Sequence, residues 1–243
     1  MKNRKPIIVY WSYATTRQNY PFMRLLDSKP QSLFKEMFKD EVGASYKNDR
    51  YSSCPSARIL MNNMFFCSLP FDAEVHLSDG NIVSSSHDGW WMISAEPMMN
   101  RTRLDFDMGW TFFCEEPLEI EVTPPYMHKS TSSEGFMAAG ILDIGRWFRS
   151  VNLTWILEKD QKSLSIKKEE PLIYFKFKTD RKVIFKEFVP TDITFSAFMA
   201  VPRHSRAIGK LEPTLEKRYN LFAKTKMAKL LLREIKENLV DDE

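Results

Sequence analysis

Phe71, Ala73, Val75 and Leu77 alternate with Asp72, Glu74, His76 and Ser78, and Asp79-Gly80 follows them. Strict period-two alternation sorts side chains onto the two faces of an extended chain. An Asp-Gly pair closing such a run is the turn chemistry of a type I′ hairpin, whose two central residues take positive φ. Ile82-Val83 opens the return strand. This unit commits the chain to antiparallel pairing with one buried face, and the pattern recurs. Ile7 to Trp11, Phe65 to Cys67, and Trp110 to Phe113 read as strands rich in β-branched and aromatic residues. Leu118, Ile120 and Val122 oppose Glu119 and Glu121, and Val151, Leu153, Trp155 and Leu157 share a face. Leu164, Ile166, Ile173, Phe175 and Phe177 continue the rhythm, and Asp180-Arg181 turns the chain into Val183-Ile184-Phe185.

The phrase Glu-Glu-Pro-Leu occurs twice, at Glu115 to Leu118 and at Glu169 to Leu172, each time ahead of a strand-like run. Proline is tolerated at the first residue of a strand. The repetition is either one construction used twice, in two related halves, or a chance match of four residues.

Helical spacing is scarce. Ser28 and Pro30 make a helix start before Leu33, Phe34, Met37 and Phe38. Phe195 to Val201 reads as a last short apolar segment. Beyond Glu212, Leu215, Tyr219, Phe222, Leu230, Ile235 and Leu239 recur at helical spacing among lysines and arginines. The expected architecture is therefore mainly β: an antiparallel β-sandwich or a jelly-roll, cupin-like barrel over residues 1–211, with a short N-terminal helix. Residues 212–243 form a basic amphipathic C-terminal helix. No alternation of strands and helices points to a doubly wound fold.

A hydrophobic fraction of 43% is ample for a core, and a net charge of +3 is too small to argue for nucleic acid. No run is long and apolar enough to span a bilayer, and no secretory leader is recognisable. Cys54, Cys67 and Cys114 form no Cys-x-x-Cys pair, and an odd count suits a reducing, cytoplasmic setting. Cys67 and Cys114 sit among aromatics as packing thiols. Cys54, before Pro55, is the thiol to test for reactivity.

Motifs that carry chemistry are sparse. Nucleophile elbows, P-loops and dinucleotide fingerprints are absent, so no catalytic residue is assigned. A cupin-like barrel would hold a divalent metal such as iron, and His87, Asp88 and His128 are the ligand set that remains. The usual His-x-Asp/Glu form is missing, and the competing reading is solvent-facing histidines on polar loops. Arg146, Trp147 and Arg149 form the candidate binding segment, with His128. Arginine beside tryptophan can hold an anion or stack on a planar ligand. The plainer alternative is an Asp143–Arg salt bridge over a packed Trp147. The C-terminal helix either docks its apolar stripe on the domain or serves a protein partner or self-association.

Gly140, Asp143, Trp147, Asn152, Trp155, Glu170 and Pro171 lie in the stretch 140–177. With the Cys54-Pro55 loop, the Pro70-Phe71 strand start and the run from Glu121 to Tyr126, they give a pattern that resembles an uncharacterised family of tailed bacteriophages, cyanophages especially, and of bacteria. Glu169-Glu170-Pro171 stands where that family has Gly-Glu-Pro. The resemblance implies a phage setting, in the host cytoplasm, and its motifs are structural rather than catalytic. Two functions follow: a non-enzymatic protein acting by binding or assembly, or a cupin-like, metal-dependent oxygenase.

Overall fold

A computed structural model describes residues 4–25, 29–37, 54–69, 71–86, 92–128, 135–146, 148–168, 170–207, 222 and 227–241. Strand β1 (Ile7–Tyr13) is nearly all buried and lies between two partners. It runs parallel to β14 (Val183–Glu187) and antiparallel to β7 (Arg101–Cys114). Burial on both faces explains why β1 is a continuous apolar run with no alternation. β7 also pairs with β6 (Met92–Pro97) and β11 (Ser150–Glu158), and β11 with the short β9 (Phe136–Met137). Along one edge, β7 hands over from β6 to β1 near Gly109, whose φ is +66°. Its register with β11 shifts at the same level, as a bulge does.

The second sheet runs β10 (Gly140–Asp143), β8 (Glu119–Thr123), β13 (Pro171–Phe177), β3 (Met64–Ser68) and β2 (Gln31–Ser32). The third holds β12 (Ser163–Ile166), β4 (Ala73–Ser78) and β5 (Asn81–Ser85). One core joins all three: Val9, Trp11, Leu104, Phe106 and Phe112 from the first, Cys67, Ile120, Val122, Ile173 and Phe175 from the second, Val75, Leu77 and Leu164 from the third. Among the described residues the strands form an open antiparallel sandwich, save for the β1–β14 pair, and no closed barrel. The closed-barrel alternative is thus not what the described residues form. Alternation alone is identical in both, and only the pairing list separates them.

Helices cover both outer faces. On the first sheet, α4 (Asp192–Ala207) and α5 (Met227–Glu237) pack Phe198, Leu231 and Ile235 against Tyr10, Phe113, Phe148 and Phe188. On the second, α2 (Leu33–Met37) and α3 (Pro55–Met61) pack Leu33, Ala57 and Met61 against Met64, Phe66 and Tyr174. A further short helix, α1 (Tyr20–Leu25), follows β1, where Asn19, Tyr20 and Pro21 read as a loop.

The hairpin is as expected. β4 alternates buried and exposed, and Asp79 and Gly80 have φ of 51° and 76°. A Cβ on Gly80 would meet Thr102 Oγ1 at 3.1 Å and Pro97 Cβ at 3.2 Å, so the turn also needs glycine for close approach to the β6–β7 ribbon. The two Glu-Pro-Leu strands, β8 and β13, are antiparallel neighbours within one sheet and not equivalents in two halves.

Three expectations change. The apolar segment from Phe195 to Val201 lies inside α4, started by Thr191 and Thr194: the Thr191 N–H donates to the Thr194 hydroxyl at 2.8 Å and the Thr194 N–H to the Thr191 hydroxyl at 3.4 Å. The aromatic strand from Trp110 to Phe113 is the end of the much longer β7. In α5 the buried positions are Leu231 and Ile235, while Leu230 is 41% exposed.

Candidate binding cleft

Asp143 organises the turn that carries Arg146. Its Oδ1 accepts the N–H groups of Gly145 at 3.0 Å and Leu118 at 3.3 Å, and its Oδ2 lies 3.4 Å from Arg146 Nε. Arg146 is thus on a turn, not a strand, and the Asp143–Arg146 salt bridge of the plainer reading is present. Phe148 is buried, stacked on Phe198 with centroids 4.7 Å apart. The Arg149 carbonyl accepts the Thr111 hydroxyl at 3.1 Å. Trp147 lies outside the described residues.

His128 follows the Pro124-Pro125 stop and donates its N–H to the Pro125 carbonyl at 2.9 Å. Its ring Nδ1 hydrogen-bonds the Tyr174 hydroxyl, and the ring packs on Phe66. Burial pushes the Tyr174 phenol well above its ordinary pKa. His128 therefore pins this loop to the outer face of the second sheet. His87 and Asp88 lie outside the described residues. Among the described residues no group of three His, Cys, Asp or Glu side chains is placed to hold a metal.

The structure brings together a different set. Where α2, α3, the start of β3 and the start of β14 meet, a cleft of about 530 Å3 opens. Lys35, Arg58 and Lys182 line it, with Ser32 and Asn62. Phe34, Met61, Phe65 and Val183 supply the apolar surface. No carboxylate is among the described residues that line it. The Lys35 and Lys182 ammonium groups make no ion pair among the described residues. Cations from three segments of the chain thus converge beside aromatic surface, an arrangement that attracts an anion.

The cleft has a rigid frame. Asn63 (φ 52°) donates its amide to the carbonyls of Thr179 (2.9 Å) and Arg181 (2.7 Å) and accepts the Val183 N–H (3.3 Å). It clamps the β13–β14 turn against β3. The Arg181 guanidinium holds both Glu116 carboxylate oxygens, at 2.9 and 2.8 Å, and the carbonyls of Lys5 (2.8 Å) and Pro6 (3.1 Å). Nη1 alone serves both carboxylate oxygens, while Nε and Nη2 donate to the Lys5 and Pro6 carbonyls, so every nitrogen of the guanidinium is engaged. Arg181 is thus committed to structure while its neighbour Lys182 lines the cleft. Lys176 Nζ donates to the Leu60 carbonyl at 2.9 Å, closing the C-terminal end of α3. Phe65 is held edge-on against Phe185 (4.7 Å) and Phe177 (5.7 Å).

At the start of α3 stands Cys54, partly buried, its thiol pulled below the ordinary range by the backbone N–H groups of Ala57 and Ser56. Burial pushes Cys67 and Cys114 up.

Lys35, the Arg58/Asn62 pair at α3 and Lys182 come from three separated segments, and no sequence spacing marks them as a group. Their conjunction is a product of the α2–α3 cover. No family model matches this chain, and no curated protein matches it. Among the described residues no helix is long and apolar enough to cross a membrane.

Proposed function

We propose that this protein acts by binding, without catalysis, and that its binding site is the cationic cleft between α2, α3 and β14. The observation that carries the reading is the convergence of Lys35, Arg58 and Lys182 on an opening with no carboxylate among the described residues that line it. The ligand class is a small anion with an apolar part, because the charges border Phe34 and Phe65. The motif likeness to phage proteins supports a tailed-phage setting in the host cytoplasm. Self-association through the C-terminal segment belongs to the same reading, supported by exposed Met227 and Leu230, one helical turn apart at the start of α5.

The test is thermal melting with pyrophosphate and citrate at constant ionic strength. Ligands of the native state raise the melting temperature by mass action. The wild type is expected to gain stability with at least one of them, and a Lys35→Glu/Lys182→Glu variant to gain none. No shift in the wild type, or an equal shift in the variant, contradicts the cleft as the site.

A further inference from the structure

The cleft pairs its charges with surface of a definite shape, and this narrows the ligand. We infer that it takes a nucleoside monophosphate: phosphate on the cations, base on the aromatic floor. The inference rests on the binding reading above.

Three features point this way. The first is charge. Lys35 lies on α2, Arg58 on α3 and Lys182 just before β14, and the Lys35 and Lys182 ammonium groups make no ion pair among the described residues. A single carboxylate would answer only one of these two lysines, whereas a phosphate monoester carries about −1.5 to −2 at neutral pH, with three acceptor oxygens for converging donors. The second is the floor. Phe34 and Phe65 are partly exposed, and both line the cleft. Phe65 is braced by Phe185 and Phe177, so its orientation is set before any ligand arrives. A fixed aromatic surface beside cations suits a flat ring better than a flexible chain, because a base can stack on an aromatic side chain.

The third is Asn62. It lines the cleft just past the end of α3, and its side-chain amide has no hydrogen bond among the described residues. An amide presents a donor and an acceptor side by side, the pattern that pairs with the edge of a nucleobase. The volume of about 530 Å3 falls within the range of clefts that enclose small ligands.

Isothermal titration calorimetry with AMP, adenosine, ribose phosphate and inorganic phosphate separates this inference from the reading beneath it. The expected result is that AMP binds, with adenosine and ribose phosphate each at least about ten-fold weaker. Lys182→Gln and Asn62→Ala, both at exposed positions, are expected to weaken AMP at least about five-fold while leaving the melting temperature of the free protein unchanged. If ribose phosphate or inorganic phosphate binds as tightly as AMP, the anion cleft stands and the nucleotide inference falls. If none of the four binds, or if AMP binding ignores both substitutions, the nucleotide inference is overturned. The pyrophosphate and citrate melts then decide separately whether the cleft holds any anion.

Discussion

Asn63 holds a left-handed backbone position that asparagine tolerates, while its side chain joins β3 to the turn between β13 and β14. Replacing it by alanine removes the three bonds and strains the φ; the expected loss is about 2–4 kcal/mol in denaturant unfolding, from unpaired carbonyls and strain together. Asn63→Gly relieves the strain alone and is expected to recover only part of the loss. Cysteine chemistry is another property of single residues. Cys54 is partly buried with a lowered pKa, whereas Cys67 and Cys114 are buried with raised ones. Iodoacetamide at neutral pH, followed by peptide mapping, is expected to modify Cys54 first, with the other two protected until unfolding. The proline and the odd cysteine count made Cys54 visible in the sequence. Asn63 was not visible, because its role depends on residues more than a hundred positions away.

At the scale of elements, the hairpin and the terminal helix differ in how far local pattern decides them. The β4–β5 hairpin was legible because alternation and the Asp-Gly turn are local signals and both act in the same direction. Gly80→Ala forces a Cβ into positive φ and against Thr102 and Pro97, and is expected to lower stability by at least about 1 kcal/mol. Helix α5 was legible as amphipathic, yet its buried register was not, since only docking separates Leu231 from Leu230. Leu231→Ala is expected to cost about 2–4 kcal/mol, and Leu230→Ala far less. Helix α4 escaped because Phe195 to Val201 reads equally as strand or helix, and the Thr191/Thr194 capping pair was the overlooked signal. The first half of β7 escaped despite its alternation of Thr102, Leu104 and Phe106 with Arg101, Arg103 and Asp105.

For the whole molecule, ion pairs lace the sandwich to its covers. Glu115 holds Lys236 of α5 at 2.9 Å, and Glu116 holds Arg181, so the first Glu-Glu-Pro-Leu phrase ties the helix and the β13–β14 turn to one point. The hydrogen bond that Lys236 donates to Glu115 raises the Lys236 pKa, and burial followed by the hydrogen bond to Glu187 raises that of Tyr20. Tyr10 and Tyr174 are raised by burial. All four folded values lie above the unfolded ones. Their stabilisation is therefore complete below about pH 10 and declines as pH rises through the folded values. Alkaline titration followed by phenolate absorbance is expected to show Tyr20 and Tyr174 ionising only with unfolding, and Tyr10 ionising above the ordinary tyrosine range. Sheet class could be read from pattern, because the strands with clear alternation declare themselves locally. The cleft could not, because its cations come from three segments that only the completed fold joins.

The account turns on that cleft, and two-dimensional amide NMR spectra recorded during an AMP titration examine it most directly. The predicted result is a set of shifts confined to the backbone amides of Ser32, Lys35, Arg58, Asn62, Asn63, Lys182 and Val183 and their neighbours. Shifts centred on Arg146 and Arg149 would contradict the cleft as the site, and no shifts at saturating AMP would contradict the nucleotide as its ligand.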